Sequence, residues 1–287
     1  MKKLVLASVI GGFVLAGCKQ APSEEPESER QVDILFTVKS STASSLKSTA
    51  GTPEENAIDE ITLYGVDFSG NVVKTFPDIY ITSTGDTTLF LSNRIVSLYA
   101  IANSTADMTS QPQATVAHLA AMTCNYTLAP ESPFVMSGIG AVTPGTPNTA
   151  TIDLVRAIAK ITVTGDGGFV VDSIKVKNTP DEGFVLAQSS FAVPTSARVD
   201  YELIESAICY VPENTTSDPT TLTVWGTYDS NPIPVEVEFI VSGTLVPVER
   251  NKWYSVTIAP SPTQECIITI TIQDWDDVDV DTHYFEY

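Results

Sequence analysis

Apolar residues in this chain recur at every second position, in short runs broken by turn residues. Val32, Ile34, Phe36 and Val38 alternate with Asp33, Leu35 and Thr37. A two-residue period puts alternate side chains on opposite faces, so the run reads as a strand with one buried face. The same reasoning marks Ile61 to Phe68, then a Ser69-Gly70-Asn71 turn into Val72 and Val73. It also marks Thr87 to Leu91, Ile95 to Ala102, Leu222 to Tyr228, Trp253 to Ile258 and Cys266 to Ile272. Ile158 to Thr164 runs into Gly165-Asp166-Gly167-Gly168, a hairpin-type turn, and Phe169 to Val176 returns. In Val235 to Val241 the residues Val235, Val237, Phe239 and Val241 alternate with Glu236, Glu238 and Ile240, so one face is mostly wet. In the first half, only Gln113 to Met122 has the composition and apolar face of a helix. Many short strands with minor helix predict an all-β chain built of β-sandwich modules. No short-period repeat points to a solenoid.

The chain of 287 residues is long enough for about two domains. Turn residues cluster at Pro144-Gly145-Thr146-Pro147-Asn148, and the strand pattern restarts after them. The expected division is residues 31–147 for an N-terminal domain and 148–287 for a C-terminal one. Lys39 to Gly51 is rich in Ser, Thr and Ala without periodicity and reads as a loop.

The first residues are a targeting segment and stand outside the fold. Lys2 and Lys3 precede an apolar run, Leu4 to Val14, that is too short for a permanent span. Leu15-Ala16-Gly17-Cys18 looks like a lipobox, in which Cys18 becomes the lipidated first residue. Residues 1–18 are then a lipoprotein signal. Residues 19–30, with Pro22, Pro26 and a run of glutamates, are an acidic tether. The expected mature protein is held to a membrane by lipid and does not cross it.

Reactive chemistry is sparsely supplied. The net charge of -20 grows more negative once Lys2 and Lys3 are lost, which disfavours nucleic acid as a partner. Cys124, Cys209 and Cys266 are an odd set allowing one bridge at most, and read as small buried hydrophobes. His118 and His283 are the only histidines. His118, beside alanines, is expected half-buried in the helix. Asp277, Asp279 and Asp281 have calcium-loop spacing but lack the turn glycine and closing glutamate. The expectation is no enzyme, no catalytic residue, no metal and no cofactor.

Several segments together resemble the fimbrillin family, the type V pilins of Bacteroidetes. They are the lipobox, the Val32 to Val38 strand with its Ser/Thr-rich loop, Ile101-Ala102-Asn103-Ser104, Met136-Ser137-Gly138, and Leu154 to Ile161. Tyr210-Val211-Pro212-Glu213-Asn214, Arg250-Asn251-Lys252-Trp253-Tyr254 and Ile268 to Trp275 complete the set. The resemblance implies two tandem transthyretin-like β-sandwich domains and export as an outer-membrane lipoprotein on the cell surface. It further implies assembly into a fimbrium, or pilus, by donor-strand exchange with other fimbrial subunits after proteolytic removal of the N-terminal segment. Val32, Ile34, Phe36 and Val38 mark the exchanged strand. The candidate processing residues are Arg30, which the sequence places before that strand, and Lys39 and Lys47, which follow it. The alternative is a tip adhesin or glycan-binding protein, or an anchor, on the same scaffold. Host or bacterial surface ligands would then be partners, and exposed Trp225, Trp253 or Trp275 would favour that alternative. The acidic alternating end, Asp277 to Asp281 followed by Tyr284-Phe285-Glu286-Tyr287, is a further candidate for subunit contact.

Overall fold

The computed structural model describes residues 28–38, 49–82, 85–104, 114–143, 148–204, 207–261 and 266–276. Cys18, Lys39, Lys47, the turn-rich residues 144–147, and residues 277–287 lie outside them.

The first half carries β1 (Glu29–Val38), β2 (Thr49–Ala50), β3 (Ile61–Asp67), β4 (Val72–Phe76), β5 (Asp86–Ser92) and β6 (Ile95–Ala102). Helix α1 (Val116–Ala120), β7 (Thr123–Asn125), β8 (Met136–Ala141) and β9 (Thr149–Arg156) follow. The second half carries β10 (Ile158–Gly165), β11 (Val170–Pro180), β12 (Glu182–Phe184), β13 (Arg198–Ile204), β14 (Ile208–Pro212) and β15 (Thr221–Tyr228). It ends with β16 (Asn231–Glu238), β17 (Ile240–Val241), β18 (Thr244–Leu245), β19 (Lys252–Pro260) and β20 (Cys266–Asp276). The all-β expectation holds.

In the first half a single sheet runs β4-β3-β6-β8-β9-β1-β5. It bends round one core, to which β1 gives Val32, Ile34 and Phe36, β3 gives Ile61 and Leu63, and β9 gives Ile152 and Leu154. The bend falls where β8 leaves β9, whose pairing is confined to Met136↔Arg156 and Ser137↔Val155. A Cβ on Gly138 would stand 2.3 Å from the Asp153 carbonyl oxygen, and one on Gly140 2.6 Å from that of Thr151. The glycines let the β9 backbone cross the face of β8 at contact distance.

In the second half a five-stranded sheet, β14-β10-β19-β20-β2, faces a four-stranded one, β13-β11-β15-β16. Ile161, Val163, Val256 and Ile258 from the first meet Ile174, Val176, Leu222, Val224 and Val237 from the second in one core. Alternation is the cause, as the buried Val235, Val237 and Phe239 against the exposed Glu236, Glu238 and Ile240 show.

Two details depart from expectation. The strand pattern does restart at Thr149, but β9 hydrogen-bonds to β8 and β1. The change of sheet therefore falls between Arg156 and Ile158. The helix is only five residues, capped by the Thr115 side chain, and His118 is exposed, with Nδ1 2.9 Å from Thr115 Oγ1.

The halves are stitched together twice. β2 pairs in parallel with β20 through Thr49↔Trp275 and Ala50↔Asp276, and β7 pairs antiparallel with β12. Around these, Tyr64, Ile101, Leu119 and Phe134 of the first half pack with Ile158, Val185, Leu186 and Trp275 of the second.

Candidate functional site

β1 is an interior strand, antiparallel to β5 on one side and parallel to β9 on the other. Its inward residues Val32, Ile34 and Phe36 are 0%, 1% and 4% exposed, and Val38 is half-buried. Burial of each of the first three is worth roughly 1.5–3 kcal/mol. The outward face carries polar ties to both neighbours. Thr88 Oγ1 of β5 donates to Asp33 Oδ1 at 2.9 Å, and Thr37 Oγ1 donates to Asp153 Oδ1 of β9 at 2.5 Å.

The sequence places Arg30, a candidate processing residue, ahead of the strand. It lies within β1 opposite Leu91. Its Nη2 donates to the Ile95 carbonyl oxygen at 2.8 Å and its Nη1 to Asn93 Oδ1 at 3.3 Å. The strand begins three residues earlier than alternation suggested because Arg30 spans the β5–β6 turn with its guanidinium, a tie that hydrophobic periodicity does not register.

Beyond residues 39–48 the chain is fastened to the other half. β2 joins β20, and a turn follows in which Thr52 and Glu55 cap each other: Thr52 N donates to Glu55 Oε2 at 2.8 Å, and Glu55 N to Thr52 Oγ1 at 3.3 Å. This delivers Glu55 into the junction between halves. There Glu55 Oε1 takes an ion pair from Lys160 Nζ at 2.7 Å and a hydrogen bond from Tyr210 Oη at 2.6 Å. Burial pushes the Glu55 carboxyl up. The hydrogen bonds from Lys160, Tyr210 and Thr52 and the charge of Lys160 outweigh that and hold it below its ordinary value.

Arg156, fully buried at the end of β9, occupies the same junction. Nε donates to the Glu55 carbonyl oxygen at 3.1 Å, and Nη1 to Asn251 Oδ1 at 2.9 Å and the Trp275 carbonyl oxygen at 3.0 Å. Nη2 meets Asn56 Oδ1, and the guanidinium lies over the Trp275 ring, 4.4 Å from its centroid. On Trp275 in turn stacks Tyr210, and Phe134 meets Trp275 edge-on and Tyr210 at a tilt. Sequence patterning singled out none of Glu55, Arg156 and Lys160 as a charged set; a charged residue inside an apolar run, such as Arg156 after Leu154 and Lys160 before Ile161, was the signal available.

The remaining candidates are scattered. Trp275 is buried, while Trp225 and Trp253 are half-buried, the latter donating from Nε1 to Thr162 Oγ1 at 2.9 Å. Cys124 and Cys209 are buried and Cys266 half-buried, all three unbridged. Burial raises the Cys209 thiol to about 12, so it stays protonated at neutral pH. Among the described residues no group of three or more His, Cys, Asp and Glu side chains could hold a metal ion. A cavity of about 340 Å³ at the junction is lined by Tyr126, Leu128, Pro133, Phe134 and Ile158, among others.

This geometry defines an all-β protein whose first strand completes the N-terminal sheet while the segment after it clasps the C-terminal half. No family model matches the sequence, and no curated protein matches it. Solved structures do. A candidate cell adhesion protein from Bacteroides eggerthii superposes with a TM-score of 0.62 at 15% identity, over 88% of this chain and 98% of that one. The tip fimbrial protein Mfa3 of Porphyromonas gingivalis, with a C-terminal truncation, gives 0.60 at 14% identity, over 85% and 100%. The fimbrilin FimA of P. gingivalis W83 gives 0.54 at 14% identity, over 87% and 98%. The chain thus has the fold of Bacteroidetes fimbrial proteins along almost their whole length.

Proposed function

We propose that this chain is a fimbrillin-like structural subunit of a type V fimbria, with two transthyretin-like β-sandwich domains, and that it performs no catalysis. It is exported as a lipoprotein through Cys18 and held at the outer membrane. It joins other subunits by donor-strand exchange at the slot that β1 fills. The observation that carries this reading is the placement of β1. Its apolar face completes the N-terminal core, and the next paired segment, β2, is bound to the opposite half. The chain can be parted in residues 39–48, releasing β1 and leaving everything from Thr49 onward clasped to the body. The vacated slot would expose two strand edges and the pockets of Val32, Ile34 and Phe36, which is what an incoming strand needs.

The test is a protease site placed in residues 39–48 of the full chain. Cleavage followed by mild destabilisation should yield fibres by electron microscopy, while the uncut chain stays monomeric. Cut protein that loses β1 and still forms no polymer would overturn the assignment. Cys18→Ser should move the protein from the membrane fraction to the soluble one.

A further inference from the structure

We propose that the β1 slot reads the polar face of its strand and thereby fixes register; the inference rests on the strand being replaceable. The apolar face alone cannot set register. Val32, Ile34, Phe36 and Val38 repeat every second residue, so a slip of two keeps apolar side chains pointing inward. What distinguishes one register from the next lies on the other face and at the N-terminal end.

Two outward rails flank the slot, Thr88 on β5 and Asp153 on β9. They meet Asp33 and Thr37, which stand four residues apart. Leu35 sits midway between, exposed on the same face. A slip of two residues in one direction puts Leu35 opposite Thr88, and in the other puts it opposite Asp153. Leu35 can accept no hydrogen bond from the threonine and offers none to the aspartate. Either slip therefore forfeits a hydrogen bond, and Leu35 is the residue that forfeits it. Arg30 adds an end stop: its guanidinium bridges to the Ile95 carbonyl and Asn93 at the β5–β6 turn, and a slip of two carries it away from both. The accepted strand is then specified by a basic residue, an acid three positions on and a hydroxyl four beyond that, over an apolar inward row. A strand from another chain lacking this order seats less tightly than β1 itself, which keeps the slot closed to wrong partners until β1 is removed.

The test uses the full chain cut within residues 39–48, with a labelled synthetic peptide of residues 28–38 exchanging for the native β1. Unlabelled peptides then compete. A peptide carrying Asp33→Leu and Thr37→Val keeps the inward face and is less acidic. A slot that senses only apolar area and overall charge would bind it as well as wild type or better, because the body is strongly acidic. A slot that reads the rails binds it about tenfold more weakly. Arg30→Lys, which keeps the charge and loses the fork, should cost a smaller factor, about threefold. Equal or tighter binding of the Asp33→Leu/Thr37→Val peptide overturns the inference and leaves strand replacement standing. Failure of the wild-type peptide to exchange at all overturns both.

Discussion

Lys160 Nζ and Glu55 Oε1 are 2.7 Å apart, and each side chain is only 4% exposed. Glu55 belongs to the turn after β2 and Lys160 to β10, so the pair ties the segment nearest the proposed cut to the C-terminal half. Removing one member of a buried pair leaves the other charge without compensation, at about 3–5 kcal/mol. Glu55→Gln should destabilise the chain by that amount in urea titration. Glu55→Gln with Lys160→Met should recover part of the loss, because neither charge is then stranded. If the double variant is no more stable than the single one, the pair is not what holds this junction.

The same carboxylate gives a pH signature. Its folded value lies below the ordinary 4.5, so it contributes stability above that value and loses it as pH falls through the lowered one. Glutamine does not titrate. The Tm gap between wild type and Glu55→Gln should therefore be full at neutral pH and shrink as the pH falls below the ordinary glutamate value and through the lowered one. A gap that is constant from neutral to acid would mean that Glu55 acts through packing and not through charge.

Gly138 and Gly140 make a prediction about the sheet bend. With a Cβ at Gly138 reaching within 2.3 Å of the Asp153 carbonyl oxygen, backbone must move. Gly138→Ala should cost about 1–3 kcal/mol as an overpacked site. It should also loosen β9, which shows as faster hydrogen exchange at residues 149–156. Gly243 separates crowding from backbone strain: its Cβ would meet nothing within 4 Å, so Gly243→Asn should cost only the strain of the positive φ of 78° and leave hydrogen exchange at residues 149–156 unchanged.

Alternation located most strands because it reports burial directly. Ile95–Ala102 was placed to the residue, and β3, β5 and β19 to within one or two at each end. What alternation could not show was partnership. β9 reads as the start of a new pattern after turn residues, yet its neighbours are β8 and β1. β7 and β12 are three residues each and exist only because they pair across the halves. The apolar row of β1 was plain in the sequence. Its ties through Arg30, Asp33 and Thr37 were not, since a hydrogen bond joins residues 55 to 116 positions apart only after folding. The junction was hidden for the same reason. Glu55 sits in a polar stretch that looks like ordinary loop, and its burial follows from where β2 and the Thr52 cap put it.

The final prediction concerns locking β1 in place. Phe36 N donates to the Gly85 carbonyl oxygen at 2.8 Å, which makes Phe36 and Gly85 a hydrogen-bonded pair. In an antiparallel ladder the next pair along is non-hydrogen-bonded, and here that is Leu35↔Asp86. Its Cα atoms should lie about 4.5 Å apart, within disulfide reach, and both side chains point to solvent. Leu35→Cys with Asp86→Cys should therefore oxidise without disturbing the core. The three buried residues of β1 together contribute roughly 5–9 kcal/mol, against a typical domain stability of about 5–15. Loss of β1 after cutting should thus leave the N-terminal half open to a replacement strand, and the disulfide should prevent that loss. Oxidised and cut, the double variant should stay monomeric; reduced, it should assemble like the cut wild-type chain. If the oxidised form made fibres at the wild-type rate, β1 would not be the strand that is exchanged.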